Sequence, residues 1–110
     1  MTGEIVEVEV TAPDRAVAER LAEALVAERL AACVQVGGPI FSVYRWRGTI
    51  ERAEEWTCRA KTTRERLPAL ESRVRALHPY ELPEILALPV GGAADYAAWV
   101  HGEVTPERGR

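Results

Sequence analysis

The sequence predicts an α+β fold in which two strand–helix units are joined by a β-hairpin, with a further helix at the C-terminal end. Three observations lead there. Val6, Val8 and Val10 alternate with Glu7 and Glu9, the period of two expected of a strand with one buried face. Val17, Leu21 and Leu25, and later Leu67, Leu70, Val74 and Leu77, recur at helical spacing. Between those two helical stripes, two apolar stretches flank Gly48 with only turn-length chain between them.

Taken in order, Glu4 to Thr11 reads as the first strand. Pro13 suits the start of a helix, where its missing N–H costs nothing, and that helix is expected from Asp14 to about Leu30. Ala32 to Val36 begins a second strand, interrupted or bulged at Gly37-Gly38-Pro39 and resuming from Ile40 to Trp46. After the turn at Gly48, a third strand runs from Thr49 to Lys61, with Trp56, Cys58 and Ala60 on one face and Thr57, Arg59 and Lys61 on the other. Thr62-x-x-Glu65 resembles a capping box for the second helix, but Pro68 conflicts with a helix begun that early, which must start later or kink. His78-Pro79 ends it. Glu84 to Val90 reads as a fourth strand, and Pro89 places it at a sheet edge. Ala93 to about Gly102 is a short helix presenting Tyr96, Trp99 and Val100. Residues 1–103 are expected to form one domain and residues 104–110 a frayed tail.

The order β-α-β-β-α-β defines a split-βαβ, ferredoxin-like sandwich with an extra C-terminal helix. Helices are expected on one sheet face. The other must be solvated, ligand-covered or buried by another subunit. The first and third strands become central neighbours, so Glu7 and Glu9 share the open face with Arg59 and Lys61. That charge-compensated face is compatible with a subunit interface.

The chain has 110 residues, enough for one core and not two. Hydrophobic residues make up 47% and charged residues 28%, a globular balance that argues against disorder. No apolar run approaches the roughly 20 residues of a membrane-spanning helix. The glutamates near the N-terminus do not suit a signal peptide, so a cytoplasmic location is expected. A net charge of −3 does not favour generic attraction to nucleic acid or to an anionic membrane, and neither is expected as a partner. Cys33 and Cys58 are too few for a disulfide scaffold.

Several segments carry a more specific signal. Leu-Ala-Ala-Cys-Val at 30–34 is followed by Ser42-x-Tyr44-x-Trp46-x-Gly48-x-Ile50, Glu55 and Lys61-Thr62. Then come His78-Pro79-Tyr80-Glu81-Leu82-Pro83-Glu84-Ile85 and Tyr96-x-x-Trp99. In this order, over about residues 5 to 100, the chain resembles the CutA divalent-cation-tolerance family. The resemblance implies a ferredoxin-like subunit in a tight homotrimer and a link to divalent-metal tolerance, with copper binding among members. It implies no settled reaction. The implied trimer is similar to that of small nitrogen-regulatory signalling proteins, which bind effectors in inter-subunit clefts.

Five residues are candidates for ligand contact. Cys33 offers a thiolate for a soft metal, or it fills the core at a strand start. His78 offers an imidazole for copper or zinc, or it meets the negative end of the helix dipole. Lys61, the one lysine among 14 basic residues, could meet an anion beside the following helix, or pair with Glu7 or Glu9. Pro79 and Pro83 fix the backbone around Tyr80, a cleft wall, and present Glu84 as a carboxylate ligand or an arginine partner. Cys58 reads as packing, and His101 as solvated. Tyr44, Trp46, Trp56, Tyr96 and Trp99 are expected in core and trimer packing.

The sequence therefore predicts a non-catalytic homotrimer that binds a divalent metal such as copper, or a small ligand, in inter-subunit clefts, with no required cofactor. The alternatives are a small-effector signalling trimer and a purely structural trimer. An acylphosphatase on the same fold wants an amide to orient water, and this chain has no asparagine. An RNA-recognition module wants basic residues and exposed aromatics on its central strands, where this chain places Glu7 and Glu9.

Overall fold

A computed structural model describes residues 4–106. The strands are β1 (Ile5–Ala12), β2 (Cys33–Trp46), β3 (Thr49–Thr62) and β4 (Ile85–Val90). The helices are α1 (Arg15–Ala27), α2 (Leu67–Leu77) and α3 (Ala94–Val104). The strands form one antiparallel sheet in the order β2-β3-β1-β4, the ferredoxin-like arrangement with β3 and β1 in the centre and β4 at an edge.

Register assigns the paired strand residues to faces. Val34, Ala60, Val8 and Ala87 form one row across the sheet, and Val36, Cys58, Val10 and Ile85 form another. These rows meet Val17, Ala18, Leu21 and Leu25 of α1 and Leu70 and Val74 of α2 in the main core. The alternate rows, Cys33-Lys61-Glu7-Leu88 and Gln35-Arg59-Glu9-Leu86, lie on the opposite face. There Glu7 sits 3.8 Å from Arg59 and 4.0 Å from Lys61, the charge compensation expected from the sequence.

Not all helices share one face. α1 and α2 cover the core side, whereas α3 packs across one end of the open side. Ile5, out of phase with Val6 and Val8, joins Ala97 and Val100 there in a second cluster with Ala32 and Val90. α3 also runs to Val104, which is fully buried, so ordered helix reaches into the expected tail. Residues 107–110 of that tail lie outside the described residues. His101 is not solvated as expected; its Nε2 is buried without a hydrogen-bond partner among the described residues.

Local chemistry explains most element boundaries. Asp14 caps α1 by accepting the Val17 N–H at 2.9 Å. The helix stops at Ala27, three residues short of expectation, and Arg29 turns the chain with φ 58°. The expected capping box at Thr62 does not form. Thr62 is fully buried at the end of β3, and its hydroxyl donates to the Leu30 carbonyl at 2.7 Å. Helix α2 instead starts at Leu67, so Pro68 falls in its first turn, where no N–H is needed.

β2 and β3 form a long hairpin closed by Arg47 and Gly48, both at positive φ, the two-residue turn whose twist suits a hairpin. Register slips between Gly37 and Ile40. At Gly38, with φ 151°, a Cβ would lie 2.8 Å from the Trp56 ring, so only glycine fits. Beyond this irregularity the hairpin becomes an arm, and Phe41, Val43 and Ile50 are exposed on it. Of the five large aromatics expected in packing, only Trp56 packs against the main core of a single chain. Tyr44, Tyr96 and Trp99 are exposed. Among the described residues no helix is long and apolar enough to cross a membrane.

Candidate functional site

The open side of the sheet leads into a cleft between the hairpin arm and the loop that follows α2. Its volume is about 590 Å³. The arm contributes Tyr44, Trp46, Glu51 and Glu55, the end of β1 contributes Thr11, and the loop contributes residues 79–82 and Glu84. Strand alternation puts Glu51 and Glu55 on the same face of β3 as Thr57 and Arg59.

His78 holds the loop in place. The Tyr80 backbone N–H can only donate, and it lies 3.1 Å from His78 Nδ1, so that nitrogen accepts. The ring proton is therefore on Nε2, which donates to the Thr11 carbonyl at 2.7 Å. His78 is buried, and both ring nitrogens are engaged within the chain. A metal at His78 would have to displace one of these bonds.

Braced in this way, Tyr80 donates its hydroxyl to Glu55 Oε2 at 2.8 Å. Burial pushes the Tyr80 phenol well above its ordinary value, and the carboxylate it donates to adds to the shift. Glu55 is only 6% exposed, which makes it a carboxylate sunk in the cleft wall. Glu84 is also raised above the ordinary carboxylate value, first by burial and then by the charges of Glu9 and Glu55. At the mouth, Arg47 pairs with Glu81 and lies 5.2 Å from the Trp46 ring centre. Glu51, Glu55 and Glu84 have no ion-pair partner among the described residues.

The five expected site residues divide into two groups. Tyr80 and Glu84 line the cleft, and His78 stands behind them as a brace. Cys33 and Lys61 are paired in register near α3. Lys61 lies four residues along β3 from the Thr57 row, about 13 Å away at strand rise. There Cys33 Sγ is 3.4 Å from the Tyr96 hydroxyl, and Lys61 Nζ is 3.0 Å from Gln35 Oε1. Of the two Lys61 alternatives, pairing with Glu7 has a counterpart at 4.0 Å, whereas α2, the helix that follows, packs on the opposite face of the sheet from Lys61. Cys58 is core, as expected; burial pushes its thiol up to about 11, and it donates to the Ala18 carbonyl.

For a metal, the donors of one chain do not form a ready centre. Among the described residues, no three His, Cys, Asp or Glu side chains come together in a way that could hold an ion. Cys33 is a soft donor beside a phenol, and the cleft carboxylates are hard donors set apart from it.

Sequence reasoning passed over Glu51, Glu55 and Glu81 as site residues and assigned Tyr44 and Trp46 to packing. The signal was present for the strand residues. Continuing the Arg59–Thr57 face back along β3 leads to Glu55 and Glu51, and Tyr44 lies opposite Glu51. Only the fold brings the loop after α2 against them.

A ferredoxin-like sheet with two helices on one face, a third helix on the other and an acidic, aromatic cleft defines a class of small open-faced α+β folds. Comparison with known proteins narrows this further. The family model described as "CutA1 divalent ion tolerance protein" matches residues 6–103. The Divalent-cation tolerance protein CutA of Thermus thermophilus is 46% identical over 92 residues, covering 83% of this chain and 89% of its own. Protein CutA of Mus musculus is 46% identical over 93 residues, covering 84% of this chain but 52% of its own, so the chain spans about half of that relative. The solved Thermus thermophilus structure superposes with a TM-score of 0.89 at 42% identity, covering 92% of this chain and 99% of that one. The chain belongs to the CutA1 divalent ion tolerance family, and the family's name describes a role in tolerance of divalent cations rather than a reaction.

Proposed function

We propose that the chain acts without catalysis, as a cytoplasmic homotrimer that binds a divalent metal ion such as copper, or a small ligand, in clefts where subunits meet. The observation that carries this reading is exposed apolar surface on both faces of the sheet. Leu86 and Leu88 stand on the open face of edge strand β4, and Phe41, Val43 and Ile50 stand on the arm, all about half exposed or more. A solvated monomer rarely keeps so much apolar surface, and an uncovered edge strand invites pairing. A second copy would cover it and bring further donors to the rim of the cleft. That is how a chain with no three-donor cluster among its described residues would assemble a metal centre.

A ligand larger than an ion, as in the signalling alternative, is favoured by the cleft volume of about 590 Å³. Light scattering should give three times the 12.2 kDa chain mass. Calorimetric titration of the reduced protein with copper and zinc should give saturable binding at a whole-number ratio per trimer. Binding should weaken in Cys33→Ala or Glu84→Gln with the trimer intact. A trimer that shows no saturable uptake would remove the metal role. A monomer would remove the inter-subunit cleft.

A further inference from the structure

We draw no further inference here: the strongest candidate, the wall of the cleft between the hairpin arm and the loop after α2 that carries Glu51, Glu55 and Glu84, belongs to the site already described, and with Glu55 accepting from Tyr80 nothing beyond the carboxylates themselves points to what they would bind.

Discussion

At the scale of single residues, the cleft depends on a histidine that does not face it. His78 accepts from the Tyr80 amide and donates to the Thr11 carbonyl, tying the loop after α2 to the end of β1. Replacing it with alanine leaves both backbone groups unpaired near the core, and the expected cost is about 2 kcal/mol. Urea unfolding of His78→Ala against wild type measures it; an unchanged midpoint would deny His78 the bracing role. Glu84 gives a pH signature. Its folded pKa lies above the ordinary value of 4.5, so the folded state holds its proton more tightly than the unfolded chain does. Stability from this group is therefore highest at low pH and is lost as pH rises from the ordinary value through the raised one. Glu84→Gln should make the dependence of thermal midpoint on pH shallower across that window. The same slope in both proteins would rule the coupling out.

At the scale of elements, the arm depends on a break in β2. Gly38 combines φ 151° with a Cβ position 2.8 Å from the Trp56 ring. Gly38→Ala forces both a disfavoured backbone and an overlap with a side chain that packs on the core, and it should cost about 2 kcal/mol or more. Thermal unfolding tests this, with Gly48→Ala as a partner: its φ is also positive, but no atom lies within 4 Å of its Cβ, so its penalty should be smaller. Equal losses would place the cost in the backbone alone. Element identity was largely legible. Alternation announced β1, Pro68 left a later start or a kink open for α2 and the structure shows the later start, and Pro89 marked the edge position of β4. The Thr62 capping box misled because a buried strand end and a helix cap can use the same hydroxyl. Which one wins depends on whether Leu30, 32 residues earlier in the chain, presents its carbonyl there.

At the scale of the whole molecule, the open face poses the question of assembly. Leu86 and Leu88 alternate on β4 into the same rows as Glu9 and Glu7. A charge introduced there costs little in a lone chain, since both positions are exposed. It would cost far more beneath a neighbouring subunit. Leu86→Arg should therefore keep the circular dichroism of the folded chain while lowering the mass seen by light scattering. An unchanged mass would take Leu86 out of the proposed interface.

The sequence by itself determined the order of elements, the faces of β1 and β3, and the residues of the helix-covered core. Each follows from contacts within a few residues, where side-chain period and turn chemistry act directly. It also held the signature of the family, carried by segments from Leu30 to Trp99. The tertiary structure alone decided that α3 lies on the opposite face from α1 and α2, because Ile5 and Val90 complete an apolar patch there only once β1 and β4 are paired. It alone separated Cys33 and Lys61 from Tyr80 and Glu84, and turned His78 inward to two backbone groups. It alone sank Glu55 against Tyr80, residues 25 apart in the chain. Those outcomes depend on where distant segments cross, and no local period records a crossing.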